Sequence, residues 1–281
     1  MKRFLSLVIL FVLLLTGQAV GVPAYAEEEV SLFPVGATAV PAPTQTPLVV
    51  EATQDPSILV VPAATPAPAA DPAARQELID RMIALAEQLF KDARGRAQPA
   101  NSAGDIYVCK NFTVHLFRKN REDFRMAAYP DVPLVIPNNL PAKESKPYTY
   151  GIAWEDIAPQ QGNPFYAAHS FYYNTELSRE ENWQLALQFM RQVQRGDFFQ
   201  MSAQYYYGVG AHSLVFTKDY DPATDSVTWT DSNMKGETRN GVRYGYVQYD
   251  TVKPIEWFVD AFCKKGRGAT LYRLRDDIIR R

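Results

Sequence analysis

The chain has 281 residues, with 29 Lys+Arg against 31 Asp+Glu, 3 His and 2 Cys, and a formal net charge of −2. That balance excludes a nucleic-acid binder acting through bulk positive charge. So few cysteines and histidines exclude a disulfide-dense scaffold and a zinc ribbon, and 47% hydrophobic residues with 12% aromatics exclude a wholly disordered chain.

Lys2 and Arg3 precede an apolar run over residues 4–15, and small residues lead to Ala24-Tyr25-Ala26 before Glu27. A charged start, a short apolar stretch and an Ala-x-Ala site form the pattern of a secretory signal peptide over residues 1–26. The run is far shorter than the roughly 20 residues that span a bilayer, so no stable membrane span is expected after cleavage. Removal takes two cations and no acids from a chain of net −2, leaving −4. The expected location is secreted or cell-wall associated.

Nine of the 20 prolines fall within residues 31–72, where only Glu51, Asp55 and Asp71 are charged. Proline removes backbone donors and favours extended chain. Residues 27–70 therefore read as a Pro/Ala-rich disordered linker, with apolar stretches at 48–50 and 58–61 able to dock on a folded domain as short strands.

Residues 71–281 are long enough for one domain with a real core. Asp71-Pro72 predicts an N-cap followed by Pro at the first helical position. Leu78, Met82, Leu85 and Leu89 then recur at helical spacing to about Arg94. Residues 129–165, rich in Pro, Asn and Tyr, read as long loops. Ser178 and Glu181 form a capping box opening a second helix. Trp183, Leu187, Met190 and Val193 mark its buried face, and Gly196 ends it.

From Asp197 the pattern turns to strands, at 198–203, 212–217, 226–231, 243–249 and 269–274. Asp221-Pro222-Ala223-Thr224-Asp225 is the turn between the second and third. Pro254 opens a late helix with Ile255, Phe258, Val259 and Phe262 on one face. Helices followed by an antiparallel meander define an α+β fold.

Candidate chemistry is confined to a few side chains. There is no Gly-x-Ser-x-Gly elbow, no phosphate-cradling glycine loop and no His-Glu-x-x-His, so no metal and no cofactor is expected. Cys109 shares a helical face with Phe112, Thr113, Leu116 and Phe117, in a helix expected to start at Gly104-Asp105. A Cys in a first turn meets unpaired N–H groups and the positive end of the helix dipole, which favour a thiolate. Those N–H groups also suit an oxyanion. Two other readings stand beside this one: an inert Cys on a buried helix face, and half of a disulfide with Cys263 in an exported protein.

His115 lies six residues beyond Cys109, on a different helical face, and His169 adjoins loop-like sequence. His212 opens one strand and Asp231 closes the next, so antiparallel pairing makes them neighbours. A carboxylate against an imidazole fixes its tautomer and supports a base. A hydrogen-bonded His–Asp pair within a sheet is the alternative reading.

The order of Cys at the head of a helix, His at the start of a strand and an acid at the end of the next resembles that of papain-like cysteine hydrolases. The nearest look is to the bacterial CHAP amidases and NlpC-type cell-wall peptidases. CHAP domains carry a His-hydrophobic strand, a turn and Glu-x-Asn; here His212-Ser213-Leu214-Val215-Phe216 is followed by a turn and Asp231-Ser232-Asn233. Gly196-Asp197 before a strand is similar to the Gly-Asp of both groups. The NlpC-type Asp-Cys-Ser-Gly-Phe becomes Val108-Cys109-Lys110-Asn111-Phe112, keeping the Cys and the Phe.

The resemblance covers about residues 95–250. It implies a papain-like arrangement, with a helical lobe carrying the Cys followed by an antiparallel β-sheet carrying His and Asp. It further implies Cys109 as nucleophile, His212 as general base and Asp231 as orienting residue, with Asn233 the alternative orienter. The implied reaction is amide hydrolysis through an acyl-thioester, on a peptidoglycan peptide or another peptide. The family's oxyanion glutamine has no match, and Asn101 and Tyr107 are the candidates to replace it. The rival expectation is a non-catalytic wall- or surface-binding module stapled by Cys109–Cys263. Tyrosine clusters at 148–150, 171–173 and 205–207, and the basic run 264–267, read as core, sheet and solvated loop before they read as ligand sites.

Overall fold

The computed structural model describes residues 71–99, 106–136, 138–139, 152–153, 157–205 and 208–281. The expected signal peptide and linker lie outside the described residues. The first element is helix α1 (Pro72–Ala93). Asp71 caps it by accepting from the Ala73 N–H at 3.0 Å, and Arg94 ends it in the left-handed region. Its apolar stripe of Leu78, Met82 and Ala86 is completely buried; each large side chain so buried stabilises by about 1.5–3 kcal/mol.

Strand β1 (Gln98–Pro99) and helix α2 (Cys109–Asn120) follow, then β2 (Phe124–Met126), β3 (Asn138–Asn139), β4 (Ile152–Ala153) and β5 (Phe165–Tyr172). Helix α3 (Arg179–Met190) precedes β6 (Phe198–Tyr205), β7 (Gly208–Phe216), β8 (Ser226–Arg239) and β9 (Val242–Pro254). Helix α4 (Ile255–Phe262), β10 (Gly268–Leu274) and β11 (Ile278–Arg280) complete the chain.

A seven-stranded antiparallel sheet runs in the order β1-β9-β8-β7-β6-β10-β5. The segment β6 to β9 is a meander. α4 then carries the chain back so that β10 pairs with β6, and β5 closes that edge. Strand alternation feeds two separate cores. Phe198, Val215 and Val247 join the core with α1 and α2, whereas Phe199, Leu214 and Phe216 join the core with α3 and α4. Helices thus cover both faces of one sheet, and the fold is α+β. The short ribbon β2–β11 adds Phe124 and Ile278 to the first core.

Several expectations need correction. α3 stops at Met190 rather than reaching Gly196, because Gly196 belongs to the tight turn into β6, with φ at +87°. A Cβ there would sit 2.8 Å from Ile79 of α1, so the close approach of α1 and the positive φ both demand glycine. β5 has no counterpart in the sequence reading, which took its start as loop; it also precedes α3, so helices do not simply come first. Only Phe165 and Phe171 of β5 are buried, as suits an edge strand. β8 and β9 extend well beyond the predicted 226–231 and 243–249.

Asp197, after the Gly196 turn, is buried and bidentate with Arg273 of β10, both bonds at 2.8 Å. Burial raises its pKa, and the Arg273 guanidinium opposes that rise. Asp197 also accepts from the Gln194 N–H at 2.9 Å, and Arg273 donates to the Gln192 carbonyl at 3.0 Å. The pair ties the turn before β6 to β10. Arg273→Met should lower stability by about 3–5 kcal/mol by leaving a buried carboxylate uncompensated. Asp197→Leu in the same chain should recover much of that loss in urea denaturation. A loss below about 1 kcal/mol for the single variant would show that the pair holds nothing.

Candidate active site

Two strands and the head of one helix converge on the site. β7 and β8 are in register at Val215↔Thr230 and Phe216↔Trp229. Toward the start of β7 no further register pair joins them among the described residues. In that same stretch β6 stays paired with β7 to Tyr205↔Gly208, and β8 with β9 to Arg239↔Val242. The two strands therefore part, and α2 lies against both.

His212 and Asp231 face each other where the strands separate. His212 Nε2 donates to Asp231 Oδ2 at 2.6 Å, with His212 only 7% exposed and Asp231 2%. A carboxylate can only accept, so Nε2 carries a proton and Nδ1 is left for another partner. Asp231 Oδ1 has no hydrogen-bond partner among the described residues, so the carboxylate directs its one side-chain bond to the imidazole.

Cys109 is the other group that acts on this ring: the thiol and the imidazole each shift the other's pKa, the thiol down and the imidazole up. Cys109 is half-buried and is the first residue of α2. The expected start at Gly104-Asp105 lies outside the described residues, and the observed helix begins later, with Val108 as N-cap. Val108 offers no capping side chain, and the dipole of the first turn bears on the sulfur. The Lys110 backbone bonds the sulfur from within that turn. The Ser213 backbone bonds it from β7, at the place where a ladder partner from β8 has gone.

Electrostatics follow from this geometry. Burial pushes the Cys109 thiol up. The hydrogen bond from His212, its charge, and the Ser213 and Lys110 backbones outweigh that, and the thiol ends below its ordinary value. Burial pushes His212 down, but the bonds to Asp231 and Cys109 raise it to about 10. Between those limits the favoured state is a thiolate beside an imidazolium.

The structure thus brings Cys109, His212 and Asp231 together. Asn233 is one step further along β8, paired with Tyr246 of β9, while Asp231 holds the imidazole. His115 lies half-buried on α2; burial, Lys119 and Arg118 lower its pKa. His169 lies in β5, at the far edge of the sheet from β8, not in a loop. Asn101 is outside the described residues. Tyr107 is half-buried against the first core.

The suggested Cys109–Cys263 disulfide is absent, and both thiols are free. Cys263 is buried at the end of α4 in the second core, whereas α2 packs in the first, so the sheet separates them. Burial raises the Cys263 thiol, opposite to Cys109. Among the described residues, no group of three or more His, Cys, Asp or Glu is placed to hold a metal ion, and no helix is long and apolar enough to cross a membrane.

The Ser213 backbone contact is the feature that sequence reasoning missed. It depends on where a ladder stops pairing, which no motif records. The chain matches no family model, and no curated protein and no solved structure is significantly similar to it.

A low thiol pKa held by His212 has a direct readout. At pH 6 the parent Cys109 should alkylate with iodoacetamide at least about tenfold faster than in His212→Ala, because each unit of pKa rise removes about nine-tenths of the thiolate. Peptide mapping separates Cys109 from Cys263. Equal, slow labelling in both proteins would show that no ion pair forms.

Proposed function

We propose that this protein is an exported cysteine hydrolase that cleaves an amide bond through an acyl-thioester, with papain-like use of its residues. Cys109 is the nucleophile, His212 the proton carrier and Asp231 the orienting carboxylate. One observation carries the reading: a half-buried Cys as the first residue of a helix, acting on a histidine that a buried aspartate holds at 2.6 Å.

In this reading the Cys109 thiolate attacks the carbonyl carbon, and the oxyanion develops near the positive end of the α2 dipole. The His212 imidazolium gives a proton to the leaving nitrogen as the C–N bond breaks. Neutral His212 then takes a proton from water, which attacks the thioester and releases the Cys109 thiolate. Asp231 takes no part in the proton transfers and holds the ring so that Nδ1 faces sulfur.

The substrate class rests on the leader at 1–26, the spacer at 27–70 and the resemblance to CHAP and NlpC-type enzymes. Together these favour peptides of the cell wall, met outside the membrane. The Tyr and Lys/Arg clusters are not needed for this reading.

The test is release of new amino groups from purified peptidoglycan, with the products read by mass spectrometry and EDTA added against contaminating metalloenzymes. Cys109→Ala should abolish release, and Asp231→Ala should lower turnover on the order of 10²-fold. The pH profile should be bell-shaped. Activity rises as Cys109 deprotonates below the ordinary thiol value and falls as His212 loses its proton at about 10. Cleavage of generic peptides without wall material would reassign the substrate. Activity that survives in Cys109→Ala would overturn the mechanism.

A further inference from the structure

Two residues before the nucleophile, the chain lies directly on a strand. Gly245 of β9 is paired with Gln98 of β1 on one side and Met234 of β8 on the other. A Cβ built on Gly245 would come 2.9 Å from the Tyr107 Cβ and closer still to the Tyr107 carbonyl oxygen. Side chains do not approach a carbonyl oxygen that closely, so one of the two backbones would have to move. Gly245 is not among the glycines with positive φ, so its own backbone makes no demand for glycine. The demand comes from Tyr107.

Gly245 is in alternation with Val247, which belongs to the first core together with α1 and α2. Tyr107 packs against that same core. The missing side chain therefore leaves a seat on the α2 side of the sheet. Val108, the N-cap, follows Tyr107, and Cys109 follows Val108. Phe112, Leu116 and Phe117 hold the body of α2 in the core with no exposure. Val108 has no polar side chain with which to cap the first turn.

We infer that Gly245 is a positioning residue: its bare backbone seats Tyr107, and that contact holds the start of α2, and with it Cys109, in place beside His212. Gly245 acts on the site through Tyr107 and Val108, which lead directly to Cys109. β9 thus serves the site twice. It pairs with the strand carrying Asp231, and it supports the segment that delivers Cys109.

The inference rests on the proposed roles of Cys109 and His212, and its test separates the two. The pH midpoint of Cys109 alkylation is measured in the full chain for the parent, Gly245→Ala, and Leu187→Ala. Leu187 is buried in the second core, so its loss destabilises the protein without touching the seat. Gly245→Ala should raise the midpoint by about one pH unit or more, toward an ordinary thiol, while Leu187→Ala keeps the parent midpoint even where its melting temperature falls as far. Should Gly245→Ala fail to fold, a single glycine inserted between Tyr107 and Val108 keeps the seat intact and uncouples it from the nucleophile. The insertion should raise the midpoint in the same way. A low parent midpoint left unshifted by the folded Gly245→Ala, or by the insertion, overturns the seat and leaves the nucleophile reading standing. A parent midpoint at the ordinary thiol value overturns both.

Discussion

The contact between His212 and Asp231 is made where two strands stop sharing backbone hydrogen bonds. A buried imidazole and a buried carboxylate are each unfavourable alone, since both lose their water. Joined at 2.6 Å, each supplies the hydrogen-bond partner that burial would otherwise deny the other. The rest of the site depends on this. Asp231 fixes which ring nitrogen is left over, and the leftover nitrogen fixes where a thiol has to be. The parted strands also release the Ser213 backbone toward the sulfur, so one break in the ladder supplies both a gap for α2 and a donor within it.

Rigidity at that break comes from the far side of the sheet. Phe199 of β6 lies edge-on to Phe216 of β7 and to Phe258 of α4, at centroid distances of 5.7 Å in both cases. Trp229 of β8 meets Phe258 at 4.9 Å. These rings brace the last paired residues of β7 and β8 just before the strands separate. Beyond them, Thr217 donates to Asp250 of β9 at 2.7 Å, and Lys218 pairs with the same carboxylate at 3.0 Å. Asp250 has φ near +49° and lies where the β8–β9 register shifts between Trp229 and Asp231. A bulge of this kind re-aims a strand next to a functional site. The His212 and Asp231 side chains are thus carried on braced strands, which hold geometry better than loops do.

What the sequence disclosed follows the range of the forces involved. Local rules placed α1, because Asp71, Pro72 and the Leu78–Met82 spacing act within a few residues. The capping box at Ser178 and Glu181 was legible for the same reason. The end of α3 was not, because Gly196 answers to Ile79, more than a hundred positions away. β5 was hidden because an edge strand needs little hydrophobic alternation, and its own pattern is mostly half-exposed. The His212–Asp231 approach was readable from hairpin order, yet the reason differs from the one order suggests. The backbones do not pair there, and the side chains bridge a gap. The free state of the two cysteines was not readable at all, since a disulfide and two thiols fit the sequence equally; the sheet that separates them decides it.

The two cysteines also show how one residue type takes opposite characters in one domain. Cys263 sits at the end of a strongly apolar helix, and burial lifts its thiol away from reactivity. Cys109 is penalised by burial too, and burial is the largest single influence on it. What differs is the company. The Lys110 backbone in the first turn, a backbone donor from a parted strand and a charged imidazole converge on Cys109, and together they overcome the penalty. Each of these belongs to a different element: α2, β7, and the His212–Asp231 bridge between β7 and β8. A thiolate at this position is therefore a property of the tertiary arrangement, and it should vanish whenever α2 loses its place against the sheet, even if every residue of the trio is kept.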